Sequence, residues 1–227
     1  MSEKNYGPMT AMNKIWGATQ ADFVSKIDND CLVTSGWLRK LTDAHRDCDK
    51  LGAVACWHFR PEDFNLDLAK HKVQEYNGHR IFQHPWVCGS GFVMKKQTYL
   101  EMGPWEEGSP NIGTTGYFLK LALKGYLNGW LYPFVLQHHM DDIFSPYRHS
   151  SDNISLQEVK SITYSLRTNN INTIEQLLKR REHVLKVLHC SSRHARDHVG
   201  WRGRLGRYMP MIDRWRQAIE NLIFRSE

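Results

Sequence analysis

Apolar positions recur along the chain with two periods, and the switches between them mark out its elements. Residues 8–20 carry Ala11, Ile15 and Ala18 at helical spacing, with Pro8 suited to a first turn, and predict a helix. Residues 22–27 form a short apolar strand that runs into Asp28, and Gly36-Trp37 opens a second helix over about 36–48. Residues 52–58 are small and apolar, bounded by Gly52 and Pro61, and read as a buried strand. The stretch from Arg60 to Pro85 is polar and reads as a long irregular segment, of a length that usually carries function. A strand over 87–94 is interrupted by Gly89 and Gly91, the residue that marks a bulge or a close approach within a strand. A helix over 96–102 is stopped by Gly103-Pro104, and one over 117–124 is closed by Gly125. A strand within 126–136 then leads to His138-His139.

The pattern changes near residue 150. Leu156, Val159, Ile162 and Leu166 form one helical stripe; Ile174, Leu177, Leu178, Val184, Leu185 and Leu188 form another. Strands alternating with helices and followed by helices alone predict an α/β domain over 1–150 and a basic helical extension over 151–227.

The 227 residues are 41% hydrophobic and 24% charged, an ordinary globular composition. A net charge of +6 favours acidic partners, among them phosphorylated small molecules and anionic lipid. The five cysteines, Cys31, Cys48, Cys56, Cys88 and Cys190, include no CxxC pair, which argues against a disulfide framework or a zinc site and for a reducing compartment. With no apolar leader and no spanning stretch, the chain is expected to be cytoplasmic, at most peripheral at the inner face of a membrane.

The distinctive chemistry is Asp28-Asn29-Asp30 at the end of the first strand. On an extended segment, carboxylates at i and i+2 point the same way, here just beyond the end of a strand, where open α/β sheets bind ligands. Mg²⁺ or Mn²⁺ takes a few carboxylate oxygens and completes its shell with phosphate oxygens. The same tripeptide also suits a plain polar turn.

Longer blocks add to this. Asn5-Tyr6-Gly7, Ala11-Met12-Asn13, the strand from Phe23 to Asp28-Asn29-Asp30, and Gly36-Trp37-Leu38 together resemble the middle of a family 2 glycosyltransferase of the GT-A fold. Gly89-Ser90-Gly91-Phe92-Val93-Met94 with Gly103-Pro104-Trp105-Glu106-Glu107, and Lys124-Gly125-Tyr126 with His138-His139, resemble its later blocks. The resemblance implies a partial GT-A (Rossmann-like) nucleotide-sugar transferase domain. Asp28 and Asp30 would hold Mn²⁺ or Mg²⁺ and the diphosphate, with His138 or His139 as a further contact. Asn13 and Lys26 would lie near the nucleotide sugar, and Trp86 and Trp105 could floor a sugar site. The implied reaction moves a sugar from a nucleoside-diphosphate sugar to a glycan or lipid-linked acceptor, with inversion.

The chain departs from the family in two places. The first strands of the nucleotide-binding half lie outside it, so the sheet is expected to have an open edge, either because the chain is a fragment or because a partner covers it. Where the family carries an acidic pair, this chain has Gly113-Thr114-Thr115, so Glu106 or Glu107 is the substitute base. The alternative is a non-catalytic GT-A-like subunit that binds a partner or a membrane surface. Trp201, Arg202, Arg204 and Arg207 fit a basic amphipathic helix on anionic lipid. The basic residues match no nucleic-acid module, and no nucleic acid is expected.

Overall fold

The structure, a computed structural model, describes residues 7–107, 114–140, 142, 145–147 and 171–206. Six strands form the main sheet: β1 (Phe23–Lys26), β3 (Leu51–Ala55), β4 (Val73–Tyr76), β5 (His79–Gln83), β6 (Phe92–Lys95) and β7 (Leu127–Tyr132). Their order is β1-β6-β3-β7-β5-β4. The β3–β7 pair is parallel and every other pair antiparallel. The carboxyl ends of β1, β3 and β7 therefore share one end of the sheet with the amino end of β6. A separate two-stranded ribbon, β2 (Cys31–Val33) with β8 (Gln137–His139), stands at that same end. This is the GT-A, Rossmann-like architecture. Among the described residues β1 pairs with β6 alone and is an edge strand.

Helices cover both faces. On one face α1 (Gly7–Ala18) buries Met9, Met12 and Trp16. The stripe expected from the sequence faces away: Ile15 is 64% exposed. Trp16 decides the orientation, because its ring meets Phe92, Tyr99 and Trp105 edge-on. Burying a side chain of that size outweighs what Ile15 would gain, each large apolar group contributing roughly 1.5–3 kcal/mol. On the other face α2 (Trp37–Asp47) packs Leu41 and Ala44 against Leu51, Val54 and Val93. The faces of β3 are set by a register shift between Leu51 and Val54. Asn128, buried, mends the ladder there: its Oδ1 accepts from Ala53 N at 2.9 Å and its Nδ2 donates to Pro85 O and Phe118 O. The remaining helices near the sheet are α4 (Lys96–Met102) and α5 (Thr114–Leu123), with the short α3 (Leu66–Ala69) in the 60–72 connection.

The segment 60–85 is not irregular throughout. It contains the β4–β5 hairpin, turned by Asn77 (φ 48°) and Gly78 (φ 82°). Asn-Gly supplies the paired positive φ angles that a two-residue hairpin needs, a stronger signal than the polarity around it.

The second apolar stripe forms α6 (Ile174–Cys190), begun by a Thr173–Gln176 capping box. Leu188 joins the core of the α1 face, and His189 Nε2 accepts from Asn65 N at 3.1 Å. Arg181 pairs with Asp63 and Asp142. α7 (Gly200–Gly206) follows, with Trp201 68% exposed. The stripe from Leu156 to Leu166, and the tail beyond Gly206, lie outside the described residues. No helix among the described residues is long and apolar enough to cross a membrane.

Candidate functional site

The end of β1 is closed by a turn rather than by further strand. Cys31 N donates to Asp28 O at 3.2 Å, so Asp28, Asn29 and Asp30 turn the chain into β2. The i, i+2 rule for an extended segment therefore does not apply, and the two carboxylates take different partners. Asp28 pairs with the Lys26 ammonium, whose side chain is only 8% exposed and also donates to Gly89 O at 3.0 Å. The backbone N–H of Asp28 donates to Ser90 Oγ at 2.8 Å. Lys26 thus ties the Asp28 turn to the glycine loop 89–91.

Asp30 turns toward the ribbon. In the β2–β8 register Cys31 stands opposite His139, and facing residues across an antiparallel pair meet side by side. Cys31 Sγ lies 3.3 Å from His139 Nδ1 and 3.7 Å from Asp30 Oδ1. One ligand atom from each of Asp30, Cys31 and His139 falls within 4.8 Å of the others. Cys88 Sγ is 4.0 Å from His139 Nε2, and Ser90 Oγ donates to Cys31 Sγ at 3.6 Å. The Gln137 amide Nε2 is 3.1 Å from Cys31 Sγ and 2.9 Å from His139 Nε2. Behind it, Gly91 (φ 66°) is required twice. Its backbone angle is left-handed, and a Cβ there would stand 1.5 Å from Gln137 Oε1.

The electrostatics separate two neighbouring imidazoles. Burial lowers the pKa of His58 to about 3, helped by His139 and Arg181. Burial also opposes a charge on His139, but its contacts with Cys31 and Cys88 outweigh that and raise its pKa. Burial pushes the Cys56 thiol up to about 12, with Cys88 and Cys31 adding to the effect. The end of the sheet thus gathers sulfur, one carboxylate and one imidazole that favours positive charge.

Of the residues singled out from sequence, the fold brings Asp30 and His139 together. Asp28 and Lys26 form the adjoining ion pair. His138 points away from His139, as alternation along β8 requires, and lies beside Tyr147 at 4.8 Å between ring centres, the rings tilted by 56°. Asn13 clamps α1 to the turn at 105: its Oδ1 accepts from Trp105 N at 2.8 Å, and its Nδ2 donates to Trp105 O and Glu107. Both oxygens of Glu107 are engaged, by Thr10 and Asn13. Glu106 is exposed and pairs with Lys120. Trp105, 2% exposed and stacked on Tyr117 at 3.8 Å, is core and floors no open site. Trp86 packs beside His84 and His198. Sequence reasoning missed Cys31, Cys88, Ser90 and Gln137. Only Cys31 had a local signal, its adjacency to Asp30.

The donor set bears on which cation could sit there. One carboxylate, one thiol and one imidazole do not suit Mg²⁺, which wants oxygen in octahedral geometry; they suit a borderline ion.

A sheet of this order, with its polar cluster beyond the carboxyl end of β1, has the GT-A type of fold. Residues 1–101 match the family Glycosyl transferase family 2. Among solved structures, the chain is similar in fold to the mannosyltransferase PcManGT from Pyrobaculum calidifontis in complex with GDP-Man and Mn²⁺. The identity is 17% and the TM-score 0.50, over 83% of this chain and 51% of that one. The chain thus spans about half the length of that structure. No curated protein matches the chain.

Proposed function

We propose that this chain carries the acceptor-side part of a glycosyltransferase that uses a nucleoside-diphosphate sugar. The observation that carries the reading is the Asp30–Cys31–His139 cluster beyond β1, in a chain whose first 101 residues match the family. In the proposed reaction an acceptor hydroxyl of a glycan or lipid-linked sugar attacks the anomeric carbon, and the bond to the diphosphate oxygen breaks. The hydroxyl proton passes to a carboxylate, and attack opposite the leaving group inverts the centre. Asp30 and His139 would hold a divalent cation, whose chemistry is to offset charge on the departing diphosphate. Lys26 and Ser90 keep the Asp28 turn against the glycine loop, so this end of the sheet is held fixed as charge develops.

Glu106 is the better candidate for the base. Among the described residues Lys120 alone engages it, whereas Thr10 and Asn13 occupy both oxygens of Glu107. The Lys120 hydrogen bond lowers the pKa of Glu106 and keeps it ionised. The exposed Trp201 beside Arg202 supports peripheral contact with an anionic membrane surface from the cytoplasmic side.

The test is release of nucleoside diphosphate from GDP- and UDP-sugars, with and without a divalent cation. Asp30→Ala should abolish turnover, and Glu106→Gln should lower kcat by about 10²–10⁴ with little change in KM. Saturable nucleotide binding without any diphosphate release would favour a non-catalytic subunit, a reading that the edge position of β1 supports.

A further inference from the structure

Two carboxylates and a histidine were expected at the end of β1, yet the side chains that converge there include sulfur. Asp30 Oδ1, Cys31 Sγ and His139 supply three different donor atoms within 4.8 Å of one another, and all three residues are only half buried, so an ion can reach them. The Sγ–Nδ1 and Sγ–Oδ1 separations are 3.3 and 3.7 Å. Ligands about 2.0–2.3 Å from a tetrahedral ion lie about 3.3–3.8 Å apart, so these edges already match one coordination sphere. A second sulfur, Cys88, stands 4.0 Å from the same imidazole. Asp28 is held away by Lys26, which leaves a single carboxylate in the set.

We propose that Asp30, Cys31 and His139 form a Zn²⁺-class site, in which a sulfur–metal bond selects the cation at this end of the sheet. Cys88 lies beside the other imidazole nitrogen, Nε2, outside the set, and the fourth position is left to water or a phosphate oxygen. Gln137 touches both Cys31 and His139 and packs them against each other. Sulfur ligation separates this site from one built on carboxylates alone: Cys is a ligand for Zn²⁺ and a poor one for Mg²⁺. Binding takes Cys31 as thiolate and His139 as neutral imidazole, so the thiol proton and the imidazolium proton are both released to solvent as the metal enters.

The inference stands on the donor set and does not require sugar transfer, so its test uses no nucleotide. Affinity alone would not decide it, since most mixed sites prefer Zn²⁺ to Mg²⁺. Co²⁺ added to the full chain should give a sulfur-to-metal charge-transfer band in the near ultraviolet, saturating at one ion per chain and displaced by Zn²⁺. The band should vanish in Cys31→Ser. His139→Gln should keep the band at saturating Co²⁺ while weakening Zn²⁺ binding by about 100-fold or more, above the ~10–100-fold typical of an outer partner. In the unmutated chain, Zn²⁺ but not Mg²⁺ should protect Cys31 from alkylation, read by mass spectrometry, which keeps the test valid if a variant folds poorly. No band in the wild-type chain, an unchanged band in Cys31→Ser, or equal alkylation with and without Zn²⁺ each overturns the proposal. A Cys31-dependent band without diphosphate release would leave the site standing and remove the transferase reading; release without the band would do the reverse.

Discussion

Two buried lysines lie in different regions of the molecule and meet opposite fates. Lys26, at the end of β1, is 9% exposed and has a full counter-charge in Asp28 together with the Gly89 carbonyl. Lys72, before β4, is fully buried. It donates to Leu188 O at 2.6 Å and lies over the Phe82 ring. With no carboxylate among the described residues to offset its burial, its pKa falls well below the ordinary value. The first region keeps a charge on purpose-built partners and holds a polar turn in place. The second uses an amine as a hydrogen-bonding peg that pins α6 to the sheet. Burial alone therefore says little about a charged residue; the partner decides whether the charge survives.

The largest effect on this contrast is expected from Gly91→Ala, which strikes the site end alone. A left-handed φ costs about 1–2 kcal/mol for a residue with a Cβ, and the overlap with Gln137 adds about 1–3. Chemical denaturation should show a loss of about 2–5 kcal/mol, and the Co²⁺ band should weaken because Gln137 is displaced. Next comes Asp28→Ala, which strips Lys26 of its counter-charge. Removing one partner of a buried pair costs about 3–5 kcal/mol, and the low end is expected because Asp28 is 36% exposed. A loss below about 1 kcal/mol would show that the Gly89 carbonyl suffices for Lys26.

The smallest effect is expected from Lys72→Met, within about 1 kcal/mol of the parent at neutral pH, since the amine's burial cost is removed along with its hydrogen bond. Its signature is in the pH profile. Between the lowered native pKa and the ordinary 10.5, the unfolded chain holds a proton on Lys72 that the native chain does not. Stability then rises with pH toward 10.5 and falls as pH drops through that window. Melting curves across neutral to alkaline pH should lose this component in Lys72→Met and keep it in Lys26→Met.

Much of the order of elements was legible from local pattern. The helices at 7–18, 37–47, 96–102 and 174–190 and the strands at 23–26, 51–55, 92–95 and 127–132 follow from periodicity, capping and glycine stops. The β4–β5 hairpin was announced by Asn77-Gly78 and obscured by polar residues on an outer sheet edge. The inward face of α1 was misjudged because a single tryptophan outweighs three smaller apolar residues, and the tryptophan's partners lie far away in sequence.

The sequence by itself determined that a polar, acidic turn follows the first strand and that a histidine pair ends the last one. Local spacing carries that information, because each feature lies within a few residues of the strand that presents it. Only the tertiary structure decided which of those groups meet. The β2–β8 register sets Cys31 against His139, 108 residues away, and the Lys26 pair draws Asp28 aside. Cross-strand pairing at such separation depends on how the whole sheet closes, and no local pattern encodes it.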